Sequence, residues 1–214
     1  VPEAMWRPIR LTPEGGFDAE AVRMVTQLAP AAQALLIGPG LLLDRSTEFN
    51  LCRIIRETRI PLIIDASALM QDIVGAVIGR PVGAGPVIIT PHHGEFARLQ
   101  GIAEQAQDRE ALMKFCSRYH LMTVLKGSPN LIADGNRVVA LPVGGPVLAR
   151  GGTGDILSGM MTALLAQNPE DPFSAALKAV SWHGAAADSL ARESGDRAVT
   201  STEILPHLSR TLRA

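Results

Sequence analysis

Four short apolar runs recur along the chain: ALLIG at 34–38, PLIIDA at 61–66, PVIIT at 86–90 and LMTVLKG at 121–127, each bounded by Gly, Pro or Asp. None alternates polar with apolar residues, which predicts strands covered on both faces. Amphipathic stretches lie between them. STEFNLCRIIRET (46–58) sets Leu51, Ile54 and Ile55 on one helical face, with Ser46 as the cap. DREALMKFCSRYH (108–120) spaces Leu112, Phe115, Cys116 and Tyr119 at i, i+3, i+4 and i+7. Strand, helix, strand, helix in this rhythm predicts an α/β fold: a mostly parallel sheet flanked by helices through right-handed crossovers.

The rhythm breaks after residue 127. NLIADGNRVVALPV (130–143) reads as a β-hairpin turning at Asp134-Gly135-Asn136. A glycine-rich loop and a helical tail follow, with helices expected at 153–167, about 172–192 and about 201–213. No repeat, low-complexity segment or linker divides the chain, so residues 1–214 read as one domain.

Composition sharpens this picture. Hydrophobic residues make up 47% and charged residues 19%, which implies a large core and excludes disorder. Aromatics are only 4%, so that core is built from Ala, Leu, Ile and Val. A formal net charge of −1 carries no electrostatic footprint for nucleic acid or an anionic membrane. Two cysteines make neither a disulfide framework nor a zinc site, and Cys116, inside its apolar stripe, reads as a buried thiol. No run approaches the ~18 apolar residues of a spanning helix, and no leader pattern opens the chain, so a cytoplasmic location is expected.

Chemistry gathers at the strand ends, where open parallel sheets bind ligands. The first run ends in Gly38-Pro39-Gly40, the second at Asp65, the third at Thr90 followed by His92, His93 and Glu95, the fourth at Lys126. Any one of these alone is an ordinary cap or a solvent-facing side chain. Four in succession point to a site. His92, His93 and Glu95 lack the spacing of metal ligands, and hydrogen bonding toward a polar ligand fits them better. His183, in SWHGAAAD, reads as a packed, hydrogen-bonded histidine, with Gly184 and Ala185 to Ala187 serving close helix packing. Gly151-Gly152-Thr153-Gly154-Asp155 opens the helix of Ile156, Leu157, Met160, Met161, Leu164 and Leu165. A loop with a capping Asp accounts for the composition. So does an anion site: glycines admit a phosphate to the free N–H groups and the helix dipole, and Asp155 beside it can take a proton from a hydroxyl nucleophile. It is not a Walker loop.

With these segments the chain resembles the ribokinase-like superfamily and, within it, the ADP- or ATP-dependent NAD(P)H-hydrate dehydratases. The matching segments are IGPGL, IIDASAL, ITPHHGEFARL, VLKGSPNLIADG, GGPVLARGGTGDILSGMMTALLAQ and AVSWHGAAADSLA…AVTSTEILPHL. The likeness runs from about residue 2 to 212. It implies a hydro-lyase that repairs NAD(P)HX, the nicotinamide dinucleotide hydrated on its ring, by phosphorylating the ring hydroxyl and expelling phosphate. On this resemblance Asp155 is the base, and Gly152, Thr153 and Gly154 form the anion hole. Lys126, Gly127, Ser128, Pro129, Asn130 and Gly154 hold the ADP or ATP. Gly38, Gly40, Asp65, His92, Glu95 and Asp155 face the substrate. Mg2+ screens the phosphates, without a dedicated protein metal site.

The chain departs from the family pattern at four positions: Gly145 for Asn, Ser67 for Asp, His93 for Pro, and Arg150 for a small residue. Family members also open with a further strand–helix–strand section and a Lys-Gly loop, so the domain reads as N-terminally incomplete. The expectation is that a docked N-terminal fragment, or a partner subunit in a homo-oligomer, covers the gap. Two rival functions remain open: a small-molecule kinase of the hydroxymethylpyrimidine or thiazole type, using the same Asp155 and glycine loop, and a non-catalytic nucleotide-binding subunit.

Overall fold

Three consecutive strands read Leu-Ile-Ile, Val-Ile-Ile and Met-Thr-Val-Leu, and every residue of them is buried. Apolar side chains on both faces of a strand require a layer on each side, and that demand sets the architecture. The computed structural model describes residues 4–101 and 108–212. Its sheet has the order β1 (Leu35–Ile37), β2 (Leu62–Ile64), β3 (Val87–Ile89), β4 (Met122–Leu125), β5 (Asn130–Ala133) and β6 (Val138–Leu141). β1 to β4 pair in parallel, and β5 pairs antiparallel with both β4 and β6.

Because β1 to β4 follow one another in space as in sequence, right-handed crossovers put all their connections on the same face. That face carries α1 (Ala19–Leu28), α2 (Arg45–Glu57), α3 (Gln71–Gly75), α4 (His93–Gln100) and α5 (Arg109–Tyr119), packed on Leu62, Ile64, Val87, Ile89 and Leu125. The opposite face, through Ile63, Ile88, Val124 and Ile132, is covered by α6 (Thr153–Gln167) and α7 (Pro172–Ser194). The distal half of α7 then packs with α8 (Ile204–Thr211) around Ala186, Ala187, Leu190 and Ile204. No described helix is long and apolar enough to cross a membrane.

The α/β class, the parallel strands, the hairpin and the α5 stripe agree with the sequence pattern, and Cys116 is buried, its thiol pushed up to about 11 by desolvation. In the hairpin, Asp134 Oδ1 accepts the N–H groups of Asn136 and Arg137 at 2.8 and 3.0 Å, an Asx turn. The cap of α2 is a correction. Asp44 Oδ1 accepts Thr47 N–H at 2.7 Å, whereas the Ser46 hydroxyl donates to Phe17 O, 29 residues away, at 3.0 Å. The tail helix, expected over 201–213, is a 3-10 turn (Ser201–Glu203) followed by α8; residue 213 lies outside the described residues.

The approach of β1 to β2 explains one glycine. Gly38 follows β1 at φ +127°, and a Cβ there would meet Asp65 O at 1.7 Å. Gly40, at φ +72°, has nothing within 4 Å of such an atom. Gly38→Ala is therefore expected to lower stability by roughly 2–4 kcal/mol, from clash and strain together. Gly40→Ala should cost only the left-handed conformation, about 1 kcal/mol. Urea midpoints of the two variants check this, and equal losses would refute the close-approach account.

Candidate active site

The glycine loop ends where α6 begins. Gly152 is the N-cap at φ +89°, with no side chain to satisfy the helix. Thr153 N–H donates to Arg150 O at 3.3 Å and Ile156 N–H to Gly152 O at 3.2 Å. That leaves the N–H groups of Gly154 and Asp155 without an acceptor among the described residues. The Thr153 hydroxyl is spent inside the loop, on Leu148 O and Arg150 O, both at 2.8 Å. Asp155 is exposed in this first turn, and no hydrogen bond holds its carboxylate among the described residues. Free donors, the positive end of a helix and a free carboxylate thus share one helix start.

Lys126 comes to it from the sheet. Its Nζ lies 3.0 Å from Oδ1 of Asp65, whose side chain is 1% exposed, and a Cβ at Gly154 would stand 3.4 Å from the same Nζ. The ammonium therefore spans from the end of β2 to the first turn of α6. Its own strand end is fixed by Lys126 N–H donating to Pro91 O at 2.7 Å. Beyond it the chain turns: Gly127 N–H donates to Asn130 Oδ1 at 3.2 Å, and Asn130 Nδ2 reaches Val143 O at 3.5 Å.

Between the turn and α6 lies a cavity of about 610 Å³. Lys126, Gly127, Ser128 and Asn130 line it on one side, Thr153 and Gly154 on the other. Its remaining wall runs through Val143 to Pro146, Leu148 and Ala149, with Leu157, Val180 and His183. The volume suits a mononucleotide-sized ligand. Five of the six residues assigned to the nucleotide are here; Pro129 is not among the lining residues. Gly145 leaves open space beside it, since a Cβ there would touch nothing within 4 Å.

Apart from Asp155, in the first turn of α6, the residues assigned to the substrate lie elsewhere. Gly38, Gly40, Asp65, His92 and Glu95 stand at the ends of β1 to β3 and do not line the cavity. Lys126 connects the two groups, through Asp65 and through a bridge to His92. His92 and Glu95 also close the start of α4. The His92 ring accepts Glu95 N–H at 3.2 Å, and the Glu95 carboxylate accepts His92 N–H at 2.8 Å. Thr90 Oγ1, from the strand between Asp65 and Lys126, is buried without a hydrogen-bond partner. No group of three or more His, Cys, Asp or Glu able to hold a metal occurs among the described residues.

Sequence reasoning missed the 143–149 wall and misread His183. Its side chain is packed as expected, but Nε2 is buried without a partner. Desolvation pulls its pKa down to about 4, so the ring lines the cavity as a neutral imidazole. The spacing of SWHGAAAD signals burial; it carries nothing about which ring nitrogen finds a partner.

The sequence profile of the NAD(P)H-hydrate dehydratase family matches residues 1–210. The chain is 34% identical to the bifunctional NAD(P)H-hydrate repair enzyme Nnr of Moorella thermoacetica, over 99% of this chain and 40% of that protein. It is 37% identical to the ADP-dependent (S)-NAD(P)H-hydrate dehydratase of Bacillus subtilis, over 76% of this chain and 57% of that one. It thus aligns with under two thirds of each of these relatives. Among solved structures, the ADP/ATP-dependent NAD(P)H-hydrate dehydratase from Bacillus subtilis, co-crystallised with ATP/Mg2+ and soaked with CoA, superposes with a TM-score of 0.75 at 31% identity. That match covers 94% of this chain and 74% of the other.

His183 makes stability depend on pH. The unfolded chain binds a proton at this ring near 6.5, while the folded chain does so only near 4. Its contribution is therefore complete above about pH 6.5 and shrinks as pH falls toward 4, by about 2 kcal/mol at about pH 5. In His183→Leu the gap between urea stabilities at about pH 7.5 and pH 5 should narrow by that amount. An unchanged gap would exclude a neutral buried ring.

Proposed function

Because this chain belongs to the NAD(P)H-hydrate dehydratase family, we propose that it restores hydrated NADH or NADPH with ADP or ATP as phosphoryl donor. The observation that carries the reading is the cavity shared by the Lys126–Asn130 turn and the first turn of α6. It offers an adenine nucleotide a mostly apolar enclosure whose lining includes the Lys126 side chain and Gly154, with the unspent N–H groups of Gly154 and Asp155 at the start of α6. A relative named as ADP-dependent and a similar structure co-crystallised with ATP/Mg2+ support the choice of donor.

In this reading Asp155 accepts the proton of the ring hydroxyl, whose oxygen attacks the terminal phosphorus as the nucleotide's bridging P–O bond breaks. Gly154 and Asp155 N–H groups and Lys126 stabilise the charge that gathers on the transferring phosphoryl oxygens. Phosphate then leaves with the ring C–O bonding pair, pushed by the ring nitrogen, and loss of a ring proton restores the double bond. The residues at the ends of β1 to β3 orient the dinucleotide. The described side chains fit a magnesium ion only through the nucleotide, since Asp65 is engaged by Lys126 and no protein cage is present. Magnesium bound in that way screens the phosphate charges.

Asp155→Asn keeps the shape and removes the proton acceptor, so turnover of hydrated NADH with ADP or ATP should fall ~10²–10⁴-fold. Nucleotide affinity by calorimetry should change little. A variant turning over at more than half the parent rate would make Asp155 a cap. Accumulation of a phosphorylated alcohol without dihydronicotinamide would instead favour a small-molecule kinase.

We also propose that β1 takes a further strand. Among the described residues it pairs only with β2, and Leu35 and Leu36 are half-buried at an open parallel edge. The 214 residues alone should therefore self-associate or retain a second polypeptide. Intact mass with sedimentation decides this: a lone, cooperatively folded monomer would refute it.

A further inference from the structure

Arg150 precedes the glycine run, and its guanidinium donates to three main-chain carbonyls. Nη1 reaches Pro146 O at 3.1 Å; Nη2 reaches Asp196 O at 2.7 Å and Arg197 O at 2.9 Å. The first acceptor belongs to its own loop. The other two lie in the segment that leads from α7 to α8. No carboxylate pairs with Arg150 among the described residues, so the planar fork is given wholly to backbone.

A second contact joins the same two segments. A Cβ at Gly152 would stand 2.9 Å from Ser201 Oγ. Ser201 is itself held, because Thr200 and Glu203 cap that turn reciprocally. The α7–α8 segment thus meets the glycine loop at Arg150 and again at Gly152.

The loop needs such support. Gly151 and Gly152 give the backbone more freedom than any other residue type, and an anion hole is effective only when its donors are already aimed. The Thr153 hydroxyl ties the loop to itself, which does not fix it to the rest of the molecule. Arg150 does.

We propose that Arg150 is a positioning residue, clamping the glycine loop to the 195–201 segment so that the Gly154 and Asp155 N–H groups and the Asp155 carboxylate are held for phosphoryl transfer. The proposal rests on the phosphoryl-transfer reading above. It makes the loop and the α7–α8 segment one mechanical unit, although neither the cavity lining nor the reacting groups include Arg150.

The test uses the full chain with Arg150→Ala and Arg150→Lys. In the alanine variant kcat should fall roughly 10- to 100-fold while KM for the nucleotide moves less than about threefold. Lysine, a single ammonium, should recover part of the loss, and added methylguanidinium should raise kcat of the alanine variant only. Amide exchange should rise together in peptides covering 146–156 and 195–203. An unchanged kcat, or exchange that rises in one segment alone, overturns the clamp. So does a kcat loss matched by an equal KM rise and earlier thermal unfolding, which marks general destabilisation. If the unmodified protein turns over no hydrated dinucleotide, the reaction is refuted, and the paired exchange alone decides the clamp.

Discussion

Asp65 is almost wholly out of water, and the Lys126 ammonium 3.0 Å away supplies the charge that keeps it there. A carboxylate buried without a partner costs several kcal/mol, and removing one member of such a pair typically destabilises by roughly 3–5 kcal/mol. Asp65 ends β2 and Lys126 ends β4, so the pair reaches across β3 and holds three strand ends in line. The lysine is thereby placed before any ligand arrives. Its position, against Gly154 and at the head of the 127–130 turn, is set by folding.

The two halves of the site differ in how they are enclosed. The half proposed for the nucleotide is a cavity walled by segments from residues 126 to 183. The half proposed for the substrate is a row of strand ends at β1 to β3. Under the proposed reaction, a small donor in a cavity beside a larger acceptor along the strand ends is a sensible division, because a dinucleotide brings its own length and needs orientation more than enclosure.

Much of this was legible in the residues. Unalternating apolar runs gave away the parallel strands, and their polar last residues pointed to the strand ends on which the proposed site is built. What stayed hidden depended on distant partners. Both Asp44 and Ser46 are good helix caps, and only the packing of Phe17, almost thirty residues earlier, decides that the serine hydroxyl goes elsewhere. The start of α4 was obscured because histidine is an uncommon cap, although His92 and Glu95 form a reciprocal capping box. Arg150 looked like a mere departure from a family pattern, because its acceptors are backbone carbonyls, which carry no side-chain signature. His183 shows a related blindness: periodicity reports burial of a residue, and satisfaction of a single atom lies below its resolution.

The sequential strand order also has a meaning for synthesis. By the time the ribosome has released β4, every helix of the first face is available, so one side of the sheet can be sealed at once. The other side cannot. Ile63, Ile88 and Val124 wait for α6 and α7, whose apolar residues run on to Val180, some fifty-five residues after Leu125. At ordinary ribosomal elongation rates that interval is roughly 3–10 seconds, during which a bare sheet face is offered to water. A nascent chain of this shape is a natural client for a chaperone at the tunnel exit, and its half-built form is the species most exposed to aggregation.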